Sequence, residues 1–202
     1  MNARLLNHAT PTTSRLASTR ERIDQAAYEL FSRHGIRAVG IDTVVARSGV
    51  AKMTLYRHYP SKDQLALAFL RRREELWTRA WLQQEVGRRA RKPAEQLLAA
   101  FDVFDIWFRR PDFEGCSFVK VLLEHSDRGH PVRKAAEAHL ATIRAFLRQL
   151  AKDAGVRDAG AFARQWQIVM MGSIVAAYAG DQDAARRGKE MGLLLLAREG
   201  IA

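Results

Sequence analysis

Lys52, Met53, Thr54, Tyr56, Arg57 and His58 crowd donor side chains and one flexible apolar group into seven residues, and Lys62 follows four residues later. Lys52 and Lys62 can neutralise phosphates. The Tyr56 hydroxyl sits on a rigid arm suited to positioning a phosphate, and His58 suits the same task. Thr54 and Arg57 have the chemistry to read base edges, since arginine pairs bidentately with guanine. Met53 can meet a thymine methyl. Any one of these residues is also an ordinary surface residue; together on one short helix they form a candidate DNA-reading face.

That face needs a helix with one side packed into a domain. Leu55 and Tyr59, four residues apart, supply the packed side. A preceding helix is expected over about Ile41–Ser48, with Ile41, Val44 and Val45 inward. Gly49 breaks it and Val50 plugs the turn, giving a helix-turn-helix over about 41–58 whose second helix fits the major groove. Pro60 prevents simple continuation of the reading helix. Ser61 then caps a further helix with Gln64 as its capping-box partner. Lys62 falls in its first turn, where free N–H groups attract phosphate.

Helical signals continue on both sides. Ser18 and Glu21 fit a capping box, Ile23, Ala27, Leu30 and Phe31 share a face, and Gly35 ends that first helix. The helix after Ser61 runs to about Arg88 through Leu65, Phe69, Leu76 and Trp77. Pro93 opens a helix ending near Arg109, residues 110–115 form a loop, and a short helix covers about 117–125. Pro131 opens a long helix with Ala136, Leu140, Ile143, Leu147 and Leu150 along one stripe. Asp158 and Asp181 are expected N-caps of two last helices. The pattern has no internal repeat, no strand alternation and no glycine-rich phosphate loop. The fold class is all-α, with about nine helices.

The composition agrees with a polyanionic partner. The 202 residues carry a formal charge of +11, and 48% are hydrophobic, enough for a core. Residues 1–62 hold ten Lys/Arg against four Asp/Glu, so the basic excess is densest around the helix-turn-helix. Residues 1–17 read as a polar, disordered tail in which Arg4 and Arg15 can follow a DNA groove. A single cysteine, Cys116, gives no intrachain disulfide and fits a reducing cytoplasm. No apolar run is long enough to span a membrane, and nothing calls for a metal or other cofactor.

Residues 18–76 resemble the DNA-binding domain of TetR-family transcriptional regulators. The resemblance rests on Phe31 and Gly35, Val44-Val45-Ala46, Gly49-Val50, and Thr54-Leu55-Tyr56-Arg57-His58-Tyr59 with Ser61-Lys62. Gly115-Cys116-Ser117-Phe118 is similar to an element in one branch of that family. One position departs: the family usually has Thr or Ser opening the second helix, and Val39-Gly40 stands here. Glycine is a tolerated N-cap without a side chain for phosphate, and Asp42 or Thr43 are alternative caps.

The resemblance implies a ligand-responsive repressor on a palindromic operator, with residues 77–202 binding a small effector and forming a homodimer. Within that region Trp77, Phe104, Trp107, Phe108 and Phe118 are candidate effector contacts in a mostly apolar pocket, with His125 as a polar group; His139 and Cys116 are further polar candidates. The last two helices are the expected dimer interface. There Gly172, Ser173, Ala176 and Ala177 allow close approach, Met170, Met171, Ile174 and Val175 add apolar area, and Leu193–Leu196 is apolar around most of a turn. Two other readings stand beside this one: a DNA-binding architectural protein without effector, and a small all-α enzyme using Cys116 with His125 or His139, for which no motif speaks.

Overall fold

Local signals in the sequence produce most of the helices of the computed structural model, which describes residues 17–201. The expected tail, with Arg4 and Arg15, lies outside the described residues but for Ala17. Nine helices run through the described part. They are α1 (Thr19–His34), α2 (Ile41–Ser48), α3 (Lys52–His58), α4 (62–89), α5 (Pro93–Phe108), α6 (Ser117–Glu124), α7 (Pro131–Asp153), α8 (Ala159–Tyr178) and α9 (Ala184–Arg198). The chain forms two compact units. One holds residues 17–77 with Ser117–His139, the other Thr78–Cys116 with 140–201. The sequence division put all of 77–202 into a second domain; here Trp77 and the segment 117–139 group with the N-terminal helices.

Capping explains the helix ends of the first unit. Ser18 and Glu21 form the reciprocal capping box of α1, and Gly35 closes it at φ 82°. Gly40 is the N-cap of α2 and offers no side-chain bond, so neither Asp42 nor Thr43 takes the cap. Gly49 ends α2 in the left-handed region. The Ser61 hydroxyl accepts the Gln64 N–H at the start of α4. Ile23, Ala27, Phe31, Val44, Leu55, Leu65 and Phe69 are buried together. Phe31 and Phe69 meet edge to face at 5.6 Å.

α4 departs from the expected pattern. It is α-helical over Lys62–Arg73, π-helical over Glu74–Gln83 and α-helical again over Gln84–Arg89. The wider i→i+5 turn changes which residues share a face. Leu76, expected inward, is therefore 37% exposed, whereas Trp77 and Thr78 are buried.

The second unit is built on α5, α8 and α9. Leu97, Phe101, Phe104 and Trp107 of α5 pack with Phe162, Trp166 and Met170 of α8 and with Leu196 of α9. Pro93 stands in the first turn of α5, and the Asp158 carboxylate caps α8 through the Ala161 N–H. Asp181 is not the N-cap of α9. Its carboxylate accepts the Asp183 N–H, two residues on, and the helix begins at Ala184. α9 comes close to its neighbours at two glycines: a Cβ on Gly188 would lie 2.6 Å from the Phe101 ring, and one on Gly192 2.7 Å from the Trp166 ring.

Candidate nucleic-acid interface

α3 has the two faces its sequence called for. Leu55 is fully buried, and Tyr59, just past the helix, is buried beside α1. The Tyr59 hydroxyl donates to Asp24 and accepts from Arg20 Nε at 3.3 Å. Burial and then the bond to Asp24 raise the Tyr59 pKa, so the phenol stays neutral. The turn is closed by Val50, which is buried. Opposite, Lys52, Met53, Tyr56, Arg57 and His58 are exposed and Thr54 is half-buried. The six α3 residues expected to meet DNA thus all reach solvent on one short helix.

Two of the cations are already engaged. Lys52 Nζ lies 2.7 Å from Asp42 Oδ1, and this contact raises the lysine pKa. Both groups are well exposed, so the pair contributes little and a phosphate can replace the carboxylate. Lys62 is different. Its ammonium is partly buried and donates to the Arg37 carbonyl at 3.2 Å. Desolvation lowers its pKa, against the fields of Glu124 and Asp63, which raise it. The residue read as a phosphate contact thus also ties α4 to the loop between α1 and α2.

The same corner holds contacts that sequence reasoning missed. Glu124, the last residue of α6, accepts the Ile36 and Arg37 N–H groups at 3.1 Å each. Arg37 returns a bond to the Glu124 carbonyl at 3.2 Å. One turn earlier, Lys120 donates to the Ser32 carbonyl at the end of α1. Arg133 closes the other side of α6 by donating to the carbonyls of Leu122 and His125. The Glu124 and Lys120 bonds join partners 87 or 88 residues apart, which leave no local signal.

The six candidate effector contacts divide between the two units. Trp77, Phe118 and His125 belong to the first unit; Phe104, Trp107 and Phe108 belong to the second. Phe118 stacks flat on His139 with ring centres 3.4 Å apart. Burial pulls the His139 pKa down to about 4, although Glu74, 3.5 Å away, favours the charged ring. His125 bonds the Val121 carbonyl and packs on His130. In the second unit Phe104, Trp107, Phe108 and Phe113 pack on one another with ring centres 4.9–5.7 Å apart. A concavity of about 350 Å³ lies at the edge of that cluster, walled by Phe108, Arg109, Ala177, Gly180, Asp181 and Gln182. Of the six expected contacts, Phe108 is the one in its wall.

The expected dimer face is revised in detail. Met170, Ser173 and Ile174 point into the core of their own unit, because that side of α8 packs on α5 and α9. The apolar residues left exposed are Ile168, Val175 and Tyr178 on α8 and Met191, Leu193 and Leu194 on α9. Among the described residues no helix is long and apolar enough to cross a membrane.

The family model for bacterial regulatory proteins of the tetR family matches residues 23–69, and the model for the tetracyclin repressor-like C-terminal domain matches residues 93–190. A TetR-family transcriptional regulator from Streptomyces coelicolor has a similar structure, with TM-score 0.83 and 28% identity over 90% of both chains. A TetR regulator from Streptomyces avermitilis superposes with TM-score 0.82 and 29% identity, over 92% of this chain and 100% of the other. The transcriptional regulator LmrA of Bacillus subtilis is 29% identical over 122 residues, 58% of this chain. The chain spans 62% of the length of LmrA and 22–29% of other curated relatives it matches.

Proposed function

The chain belongs to the TetR family of DNA-binding transcriptional regulators, and from that premise we propose that it is a repressor released from a palindromic operator by a small, mostly apolar effector. One observation carries the DNA half of this reading: α3 is anchored by Leu55 and Tyr59 while Lys52, Met53, Thr54, Tyr56, Arg57 and His58 all reach solvent. Thr54, Arg57 and Met53 read bases; Lys52, Tyr56, His58 and Lys62 hold phosphates. Residues 18–76 are then the DNA-binding domain and 77–202 the effector and dimerisation domain.

The homodimer forms through α8 and α9. Their exposed Ile168, Val175, Met191, Leu193 and Leu194 are an unusual apolar load for a surface and support an interface there. Two-fold symmetry matches two half-sites one helical turn apart. The effector contacts proposed within the second unit are Phe104, Trp107 and Phe108. Rings packed as closely as Phe104, Trp107 and Phe108 must separate to admit a ligand, so binding and rearrangement would be one event. Such a ligand must bind the DNA-incompetent state better, and operator must weaken it by the same factor.

The test is selection of a duplex from a random pool by the purified protein, then footprinting on that duplex across a small-molecule panel. A protected palindrome lost in the presence of one compound supports the reading. Protection that no compound changes leaves a DNA-binding protein without this switch, and tighter protection with a compound makes it a co-repressed or activated regulator.

A further inference from the structure

The loop that carries the chain from α1 into the helix-turn-helix buries Ile36 and Val39, and two of its backbone N–H groups bond a side chain from α6. α1 stops at Gly35, and α2 starts at Gly40 with no side-chain cap. Between them, the Ile36 and Arg37 N–H groups converge on a single oxygen of Glu124, at 3.1 Å each. Consecutive N–H groups turned to one side make a concavity that favours an anion, and the anion here is a side chain from the end of α6. The fit is close. A Cβ on Gly35 would stand 1.9 Å from Glu124 Oε1, so any other residue at 35 would evict the carboxylate. The Arg37 guanidinium and the Lys62 ammonium complete the corner, on the Glu124 and Arg37 carbonyls.

We propose that Glu124 is a positioning residue for DNA reading: its carboxylate fixes the entry to α2, and through α2 the angle at which α3 presents Thr54 and Arg57. The inference rests on the DNA-reading role given above to α3. Phosphate contacts tolerate small shifts of the reading helix because the attraction is long-ranged and unoriented. Bidentate base contacts do not, because their geometry is fixed. Loss of the carboxylate should therefore act on discrimination between sequences rather than on DNA affinity in general.

The experiment compares Glu124→Ala, Glu124→Gln and wild type on two duplexes of equal length, one selected by the wild-type protein and one of random sequence. The Ile36 and Arg37 amide signals are followed by NMR and the melting temperature is recorded. Expected for Glu124→Ala is a roughly tenfold or greater loss on the selected duplex, which is about 1.4 kcal/mol, with random-sequence affinity and salt slope unchanged. The two amides should move while the signals of the Leu55–Tyr59 core stay in place. Glu124→Gln keeps an accepting oxygen without the charge, so its selected-to-random ratio should lie between the other two. Equal losses on both duplexes, or no loss on either, overturns the proposal. Where the alanine variant does not fold, the glutamine variant is read alone: a ratio lowered at least twofold supports the proposal and an unchanged ratio overturns it. A wild-type protein that selects no sequence defeats the DNA-reading role itself, a separate failure.

Discussion

Replacing Leu194 by Glu separates an interface residue from a core residue in one measurement. Leu194 on α9 is 64% exposed in the single chain, whereas Ile174 on α8 is 6% exposed. Fully burying a leucine is worth roughly 1.5–3 kcal/mol, so covering the exposed part of Leu194 contributes about 1–2 kcal/mol per copy. In a two-fold interface both copies count, which makes about 2–4 kcal/mol per dimer. Losing that alone raises the dimer dissociation constant roughly 30- to 800-fold. The carboxylate adds a dehydration cost in the same direction. The fold of the single chain should survive, because the new side chain can stay in water. Ile174→Glu should instead unfold the second unit, since its carboxylate would have no route to solvent. Sedimentation velocity from nanomolar to micromolar protein, with circular dichroism on the same samples, reads both effects. A Leu194→Glu protein that keeps the wild-type dissociation constant would remove this face of α9 from the interface. A wild-type protein that sediments as a monomer at micromolar concentration would remove the dimer.

Three further outcomes are expected. Arg57→Ala should cost about 1–3 kcal/mol on the selected duplex and relax base preference at one position; a repeated selection that returns the wild-type consensus would remove Arg57 from base reading. Lys62→Ala should lower the slope of log affinity against log salt by about one unit, whereas equal slopes would confine Lys62 to its bond with the Arg37 carbonyl. His139 has a folded-state pKa pulled down to about 4, below the ordinary 6.5, so the unfolded chain binds the extra proton between those values. Stability should be complete above about pH 6.5 and fall as pH drops towards 4, by something of the order of 3 kcal/mol. Melting curves of wild type and His139→Leu over that range give the test: parallel pH dependence would exclude His139 as the source.

What could be read from the sequence was what is decided within a few residues. Ser18 with Glu21, Gly49, Asp158 and the Leu55–Tyr59 pair each act on neighbours three or four positions away, and each behaves as its type dictates. The donor face of α3 was legible for the same reason, because a seven-residue helix anchored by the buried Leu55 and by Tyr59 just past its end has little choice about the rest. Asp181 was misread because an acidic residue before a helix can bond either two or three residues ahead, and here it bonds Asp183. On α8 the adjacent Met170, Met171, Ile174 and Val175 are apolar on several sides, so pattern alone did not say which side meets α5 and α9. The hold of Glu124 on Ile36 and Arg37 joins segments far apart in the chain, and no short-range pattern marks it or the π-helical stretch of α4.

The two glycines of α9 bear on attempts to make the protein more heat-resistant. Glycine inside a helix is a usual target for replacement by alanine, with a gain of about 1 kcal/mol. Gly87 fits that rule, since nothing lies within 4 Å of where its Cβ would stand. Gly188 and Gly192 break it. The Phe101 and Trp166 rings occupy the space a methyl group would need, and an overpacked core costs about 1–3 kcal/mol, enough to reverse the gain. A stabilisation programme guided by helix propensity alone would treat all three positions alike. One guided by this packing would change Gly87 and keep the other two.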